Sequence, residues 1–169
     1  MQISMYRASV PVFTRALRNL VGVLRKGEAS ATARKIDPSV LLNYRLAPDM
    51  FTLTRQVQIA TDMAKGCVSR LAGVEIPSYA DDETTFDQLV ARIERCIAYL
   101  ETFQPAQIDG SEQKTVVVKM RSGELTFEGL RYLLDYVIPN VYFHCTTAYA
   151  ILRHCGVNIG KPDFIGPVS

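Results

Sequence analysis

Long apolar runs, paired cysteines and histidine are what this 169-residue sequence has little of. No apolar stretch approaches the ~20 residues that cross a bilayer as a helix, so no membrane partner is expected. Residues 1–11 contain no apolar leader and meet a charge at Arg7, so no secretory signal is expected and the chain is read as cytoplasmic. The four cysteines, Cys67, Cys96, Cys145 and Cys155, form no C-x-x-C pair. They read as small buried thiols in a reducing compartment, and their spacing argues against structural zinc. A glycine-rich phosphate loop and a G-x-S-x-G elbow are both missing, which removes the two commonest local signatures of nucleotide and acyl chemistry. No residue pair resembles a nucleophile with its base. Internal repeats and low-complexity segments are also absent.

Charge is nearly balanced at +2 but unevenly spread. Residues 1–48 hold eight Lys/Arg against two Asp/Glu, while residues 75–101 hold seven Asp/Glu against two Arg. The cations of the basic end are spaced singly and have no aromatic stacking platform beside them, so no nucleic-acid partner is expected. Complementarity between two helices, or between two subunits, accounts for the same asymmetry.

What is present is helical periodicity. Met5, Val12, Phe13, Ala16, Leu17, Leu20, Val21 and Leu24 predict a first helix over about residues 4–26, kinked or irregular at Pro11, with 27–35 as a connection or frayed end. Asp37-Pro38 opens a short turn of helix. A second long helix carries Met50, Leu53, Val57, Ala60, Ala64, Cys67, Val68 and Leu71 on one face and stops near Gly73. Thr84 or Thr85 caps a third, with Phe86, Leu89, Val90, Ile93, Ile97 and Leu100 in a stripe; Pro105 and Gly110 bracket its exit. The β-branched run from Thr115 and a turn at Arg121-Ser122-Gly123 predict a hairpin insertion over about 115–128. The last helix spans about 130–154, broken at Pro139, and Gly156 ends it. The expectation is one all-α domain over 1–169, an antiparallel four-helix bundle with a short β-hairpin before the last helix.

Both histidines lie in that last helix. Ten residues separate His144 from His154, roughly 15 Å of rise, so they cannot share a metal that binds its ligands at ~2 Å. His154, at a helix C-terminus, complements the dipole. Asn140 and His144, four apart, share a face. Gln56 and Gln58 project about 200° apart, so one is expected in a pocket and the other in solvent. Tyr142 and Tyr149 offer hydroxyl donors or packing, and Arg153 either holds an anion or pairs with Asp163. The pocket expected from these residues is lined by Gln56, Gln58, Asn140, His144 and Tyr149, with His144 the one candidate acid or base near neutral pH. No cofactor is expected. A divalent zinc or nickel ion, if held at all, would use His144 and Asn140. A small-molecule ligand is the expected partner.

The segment His144-x8-Arg153-x-x-Gly156 resembles the terminal helix of the DinB-like (also YfiT-like) metalloenzyme superfamily. Its members form four-helix bundles that bind a divalent metal with three histidines, one on the second helix and two in an H-x-x-x-H pair on the last. By that resemblance His144 matches the second histidine of the pair, Asn140 stands at the first, and Gln56 or Gln58 lies nearest the helix-two position. The whole chain is similar to an uncharacterised bacterial family of domain-of-unknown-function proteins in that superfamily. The similarity rests on Met5-Tyr6 through Pro11-Val-Phe13, Leu46-Ala-Pro48-Asp-Met50-Phe51, Arg55-Gln-Val-Gln58-Ile-Ala60, Leu71-Ala-Gly73, Thr84-Thr-Phe86, Pro139-Asn140-x-Tyr-Phe-His144 and Gly160-Lys-x-Asp-Phe164. The resemblance implies the bundle and a homodimer, and no activity. A small-ligand-binding or weakly enzyme-like bundle with an altered metal site, a non-catalytic homodimer, and a metal-dependent hydrolase or thiol transferase by analogy all stay open at this point.

Overall fold

Helix α1 spans Met5–Ala33, begun by Ser4, whose hydroxyl accepts the Arg7 N–H at 3.3 Å. Its buried stripe runs Met5, Ser9, Phe13, Leu17, Leu20, Leu24, Gly27, Ala31 at steps of three and four. This stripe explains why the helix outlasts the expected end at Lys26. Gly27 and Ala31 continue the apolar face, and a Cβ at Gly27 would sit 3.0 Å from a Leu152 methyl. The helix is also uninterrupted at Pro11, which lies on its exposed side, where water can take up the carbonyl that proline leaves unbonded. The computed structural model describes residues 3–120 and 123–167.

Short helix α2, Pro38–Leu42, is capped by Asp37, whose carboxylate accepts the Ser39 N–H at 2.9 Å. Helix α3, Leu53–Ala72, starts at the Thr52 cap, leaving Met50 outside, and ends where Gly73 turns left-handed (φ +77°). Helix α4, Phe86–Glu101, has a reciprocal capping box between Thr85 and Gln88. Pro105 opens another single turn, α5 (Pro105–Ile108), rather than a plain loop. Strands β1 (Thr115–Met120) and β2 (Gly123–Glu128) pair antiparallel, Val117 opposite Thr126; the expected turn residues Arg121 and Ser122 lie outside the described residues.

After the hairpin come one helical turn, α6 (Gly129–Arg131), a π-helical turn Tyr132–Val137, helix α7 (Ile138–His154) and a short α8 (Lys161–Ile165). The expected break at Pro139 thus takes a specific form. A proline here lacks the N–H for Asp135 and crowds its carbonyl, and the wider π turn just upstream accommodates that loss.

Helix α3 packs on α7 and α4, and α1 packs on α4, α7 and α8. The buried side chains between them form one cluster from Met5 to Ile159. The hairpin joins through Val116 and Val118 and through a Phe127–Tyr132–Tyr136 aromatic group. The charge asymmetry resolves within the chain: Arg18 pairs with Glu101, and Arg25 with Asp87, across α1 and α4. These pairs are exposed, so they contribute register more than stability. The fold is mostly helical, with one small antiparallel hairpin before the final helices.

Candidate functional site

Where α3 lies along α7, Gln56 and His144 meet. Each faces the neighbouring helix, and they are 1 % and 7 % exposed. The imidazole Nδ1 is 2.6 Å from Gln56 Oε1, and Gln56 Nε2 donates to the Phe51 carbonyl at 3.2 Å. The second bond sets the amide orientation, so an acceptor oxygen faces the ring and Nδ1 carries the proton. Nε2 is left with its lone pair and no hydrogen bond among the described residues. Burial, then the nearby Arg55 charge, holds the imidazole pKa below histidine's ordinary 6.5. His144 is therefore a neutral base at pH 7. As pH falls through 6.5 the unfolded chain takes up the proton before the folded one does, so this burial contributes in full above 6.5 and loses its contribution below.

The other expected pocket residues separate. Gln58 is 4 % exposed, so both glutamines are buried, contrary to the expectation that one is solvated. Their 200° separation holds, but α3 is covered on both sides, by α7 at Gln56 and by residues 80–85 at Gln58. There Gln58 accepts from Arg55 at 3.1 Å and donates to Glu83 at 2.9 Å. It lines a polar cavity of about 360 Å³ together with Thr52, Arg55, Asp81 and Glu83. Asn140 turns back along its own helix and donates to the Tyr136 carbonyl at 2.6 Å. Tyr149 packs edge-on against Phe164, ring centroids 5.8 Å apart. Arg153 bonds the Val157 carbonyl at 3.4 Å, and Asp163 pairs with Lys26 at 2.6 Å, so the two do not pair with each other. His154 ends α7 beside the Tyr44 ring.

A buried ionic cluster went unnoticed in the sequence. Arg92 lies on the apolar side of α4, its side chain 1 % exposed. Its guanidinium donates to Thr61 at 2.8 Å, to the Ala80 carbonyl at 2.7 Å, to Glu83 at 3.0 Å and to Asp62 at 2.9 Å. Lys65 pairs with Asp62 at 3.0 Å, and the Tyr79 ring receives Lys65, Arg92 and Arg95 on its π system. The available signal was an arginine three residues after Leu89, on the buried stripe, following the acidic run 81–83.

Of the three histidine positions of the resembling superfamily, this chain fills one. His144 keeps its Nε2 lone pair, Asn140 is committed to Tyr136, and among the described residues no three His, Cys, Asp or Glu side chains converge as a metal would need.

A solved structure described as a DinB family member protein from Shewanella denitrificans is similar to this chain at 43 % identity, with a TM-score of 0.87 over 96 % of this chain and 92 % of that one. No curated protein matches. Residues 5–165 match the family described as a domain of unknown function, DUF1993. The chain therefore belongs to the DUF1993 family, within a DinB-like fold.

Proposed function

We propose that this protein is a small-ligand-binding bundle, weakly enzyme-like at most, in which the superfamily's metal position has become a hydrogen-bonded amide–imidazole pair. The four long helices α1, α3, α4 and α7 are read as an antiparallel four-helix bundle. The observation that carries the reading is the Gln56–His144 bond, with its amide oriented by Phe51. Across α3, the polar cavity beside Gln58 is the ligand pocket at this end of the molecule. On the other side of α3, at the Gln56–His144 pair, His144 Nε2 is the group able to accept a proton. Free thiols at all four cysteines support a reducing, cytoplasmic setting, and the Shewanella relative supports a bacterial source.

One observation favours the second reading, a non-catalytic homodimer. Phe51 and Phe143 flank the His144 site with 53 % and 55 % of their surface exposed. The third, a metal-dependent hydrolase or thiol transferase, rests on the superfamily analogy.

Metal content of the purified protein separates these readings. We expect substoichiometric zinc, nickel, manganese and iron in the wild type and in His144→Ala alike. One equivalent of metal in the wild type that disappears in His144→Ala would overturn the proposal and restore the metalloenzyme reading.

A further inference from the structure

On the α1 side of α7, away from the Gln56–His144 contact, the fold leaves a second, partly open cavity. Its floor is Leu20, Val23 and Cys145, and its walls are Val12, Ala16 and Phe164. The volume is about 340 Å³, within the ordinary range for a small-molecule site. At a liquid-like share of about 30 Å³ per heavy atom, that accommodates roughly ten heavy atoms.

The chain closes this space with its own C-terminal segment. Asn19 Nδ2 donates to the Phe164 and Ile165 carbonyls at 3.0 and 2.8 Å, and Arg15 Nη2 donates to the Ile165 and Pro167 carbonyls at 3.2 and 3.0 Å. Asp163 is anchored to Lys26, and Phe164 to the Tyr149 ring. The roof is thus α8, held at both ends over an apolar hollow that it does not fill.

The polar side chains at the mouth are Arg15, Asn19 and Tyr142, and Asn19 is taken up by the tail carbonyls. Arg15 retains Nε and Nη1 with no hydrogen bond among the described residues, and the Tyr142 hydroxyl is likewise unbonded there. Among the described residues no carboxylate lines the cavity, and burial pushes the Cys145 thiol up to about 12, so no thiolate there opposes an anion. Donors and one cation at the rim, above an apolar interior, call for a ligand with an apolar body and an anionic acceptor at one end.

We propose that the cleft between α1, α7 and α8 binds a small apolar carboxylate, its chain on Leu20, Val23 and Cys145 and its carboxylate at Arg15. The site is independent of the His144 reading, since Cys145 and His144 project from α7 toward different helices.

Octanoate, with ten heavy atoms, is the probe, titrated into the full chain by calorimetry and by backbone amide spectra. Octanol and octylamine are the controls. Octanoate is expected to bind saturably, shifting amides of residues 12–23, 142–145 and 164–165. Ala16→Phe fills the space and is expected to abolish binding; Val12→Phe serves if that variant fails to fold. Arg15→Gln keeps a donor for the tail carbonyls and is expected to weaken octanoate by about fivefold, as an exposed ion pair supports, with octanol unchanged. The proposal is overturned if octanoate does not bind, if octylamine binds as well as octanoate, or if binding survives the filling variants. It is overturned equally if the chain dimerises in sedimentation and Ala16→Phe dissolves the dimer, since a second copy would then be the occupant.

Discussion

Replacing Arg92 with alanine is expected to lower the unfolding free energy by about 3 kcal/mol, the lower end of the range for breaking a buried ion pair. The lower end applies because the partners are unequal. Asp62 and Asp81 reach solvent and keep Lys65 and Arg55 as counter-ions, so part of the lost interaction is screened. Glu83 is different: its side chain is only 9 % exposed and would keep only the Gln58 amide. Thr61 and the Ala80 carbonyl also lose their donors. Arg92 joins α3, residues 80–83 and α4, so its loss loosens the wall of the polar cavity as well. Arg92→Lys retains the charge but not the fork, and is expected to recover part of the stability. Urea denaturation of the three proteins measures this. A loss below about 0.5 kcal/mol, the size of an ordinary surface substitution, would show that the cluster is not a structural tether.

Gly129→Ala is the second large effect. A Cβ at this position would lie 2.0 Å from the Ser111 carbonyl oxygen and 3.1 Å from its carbon. The obstacle is backbone, so no rotamer change relieves it. The chain cannot back away cheaply either, because the next residue, Leu130, donates its N–H to the Glu112 carbonyl at 2.8 Å. One methyl group is therefore expected to cost about 3 kcal/mol, at the upper end for overpacking. Gly22→Ala is the matched control. It lies on the exposed side of α1 with nothing within 4 Å of its Cβ, and is expected to be neutral or stabilising by up to about 1 kcal/mol. Thermal unfolding should separate the pair, Gly129→Ala well below the wild type and Gly22→Ala at or above it. Equal melting temperatures would mean that the junction between the hairpin and the last helix relaxes freely.

Elements whose information is local were legible in the sequence. The stripe from Phe86 to Leu100 and its Thr85 cap, the Asp37-Pro38 helix start and the β-branched run from Thr115 each declare themselves within a few residues. What escaped depends on neighbours. Gly27 reads as a helix breaker until α7 is known to approach it through Leu152. One of the two glutamines reads as solvated until residues 80–85 are known to fold over Gln58, and Asn140 reads as a pocket group until its amide is seen to turn back onto the Tyr136 carbonyl. Arg92 reads as an interruption of an apolar stripe, whereas Asp62 on α3 and Asp81 and Glu83 in the preceding loop make it a hub. Helical spacing did place Gln56 and His144 on opposed elements; only packing could bring them to 2.6 Å.

The Gln56–His144 pair depends on the state of one imidazole. Nitrogen-15 spectra of the histidine rings, with His154→Gln to assign the signals, report which nitrogen of His144 carries the proton, where it titrates and whether zinc reaches it. The expected result is a proton on Nδ1 at pH 7.5, a midpoint below 6.5, and no change on adding one equivalent of zinc. A proton on Nε2 instead, or a zinc-induced shift of the His144 nitrogens, would contradict it.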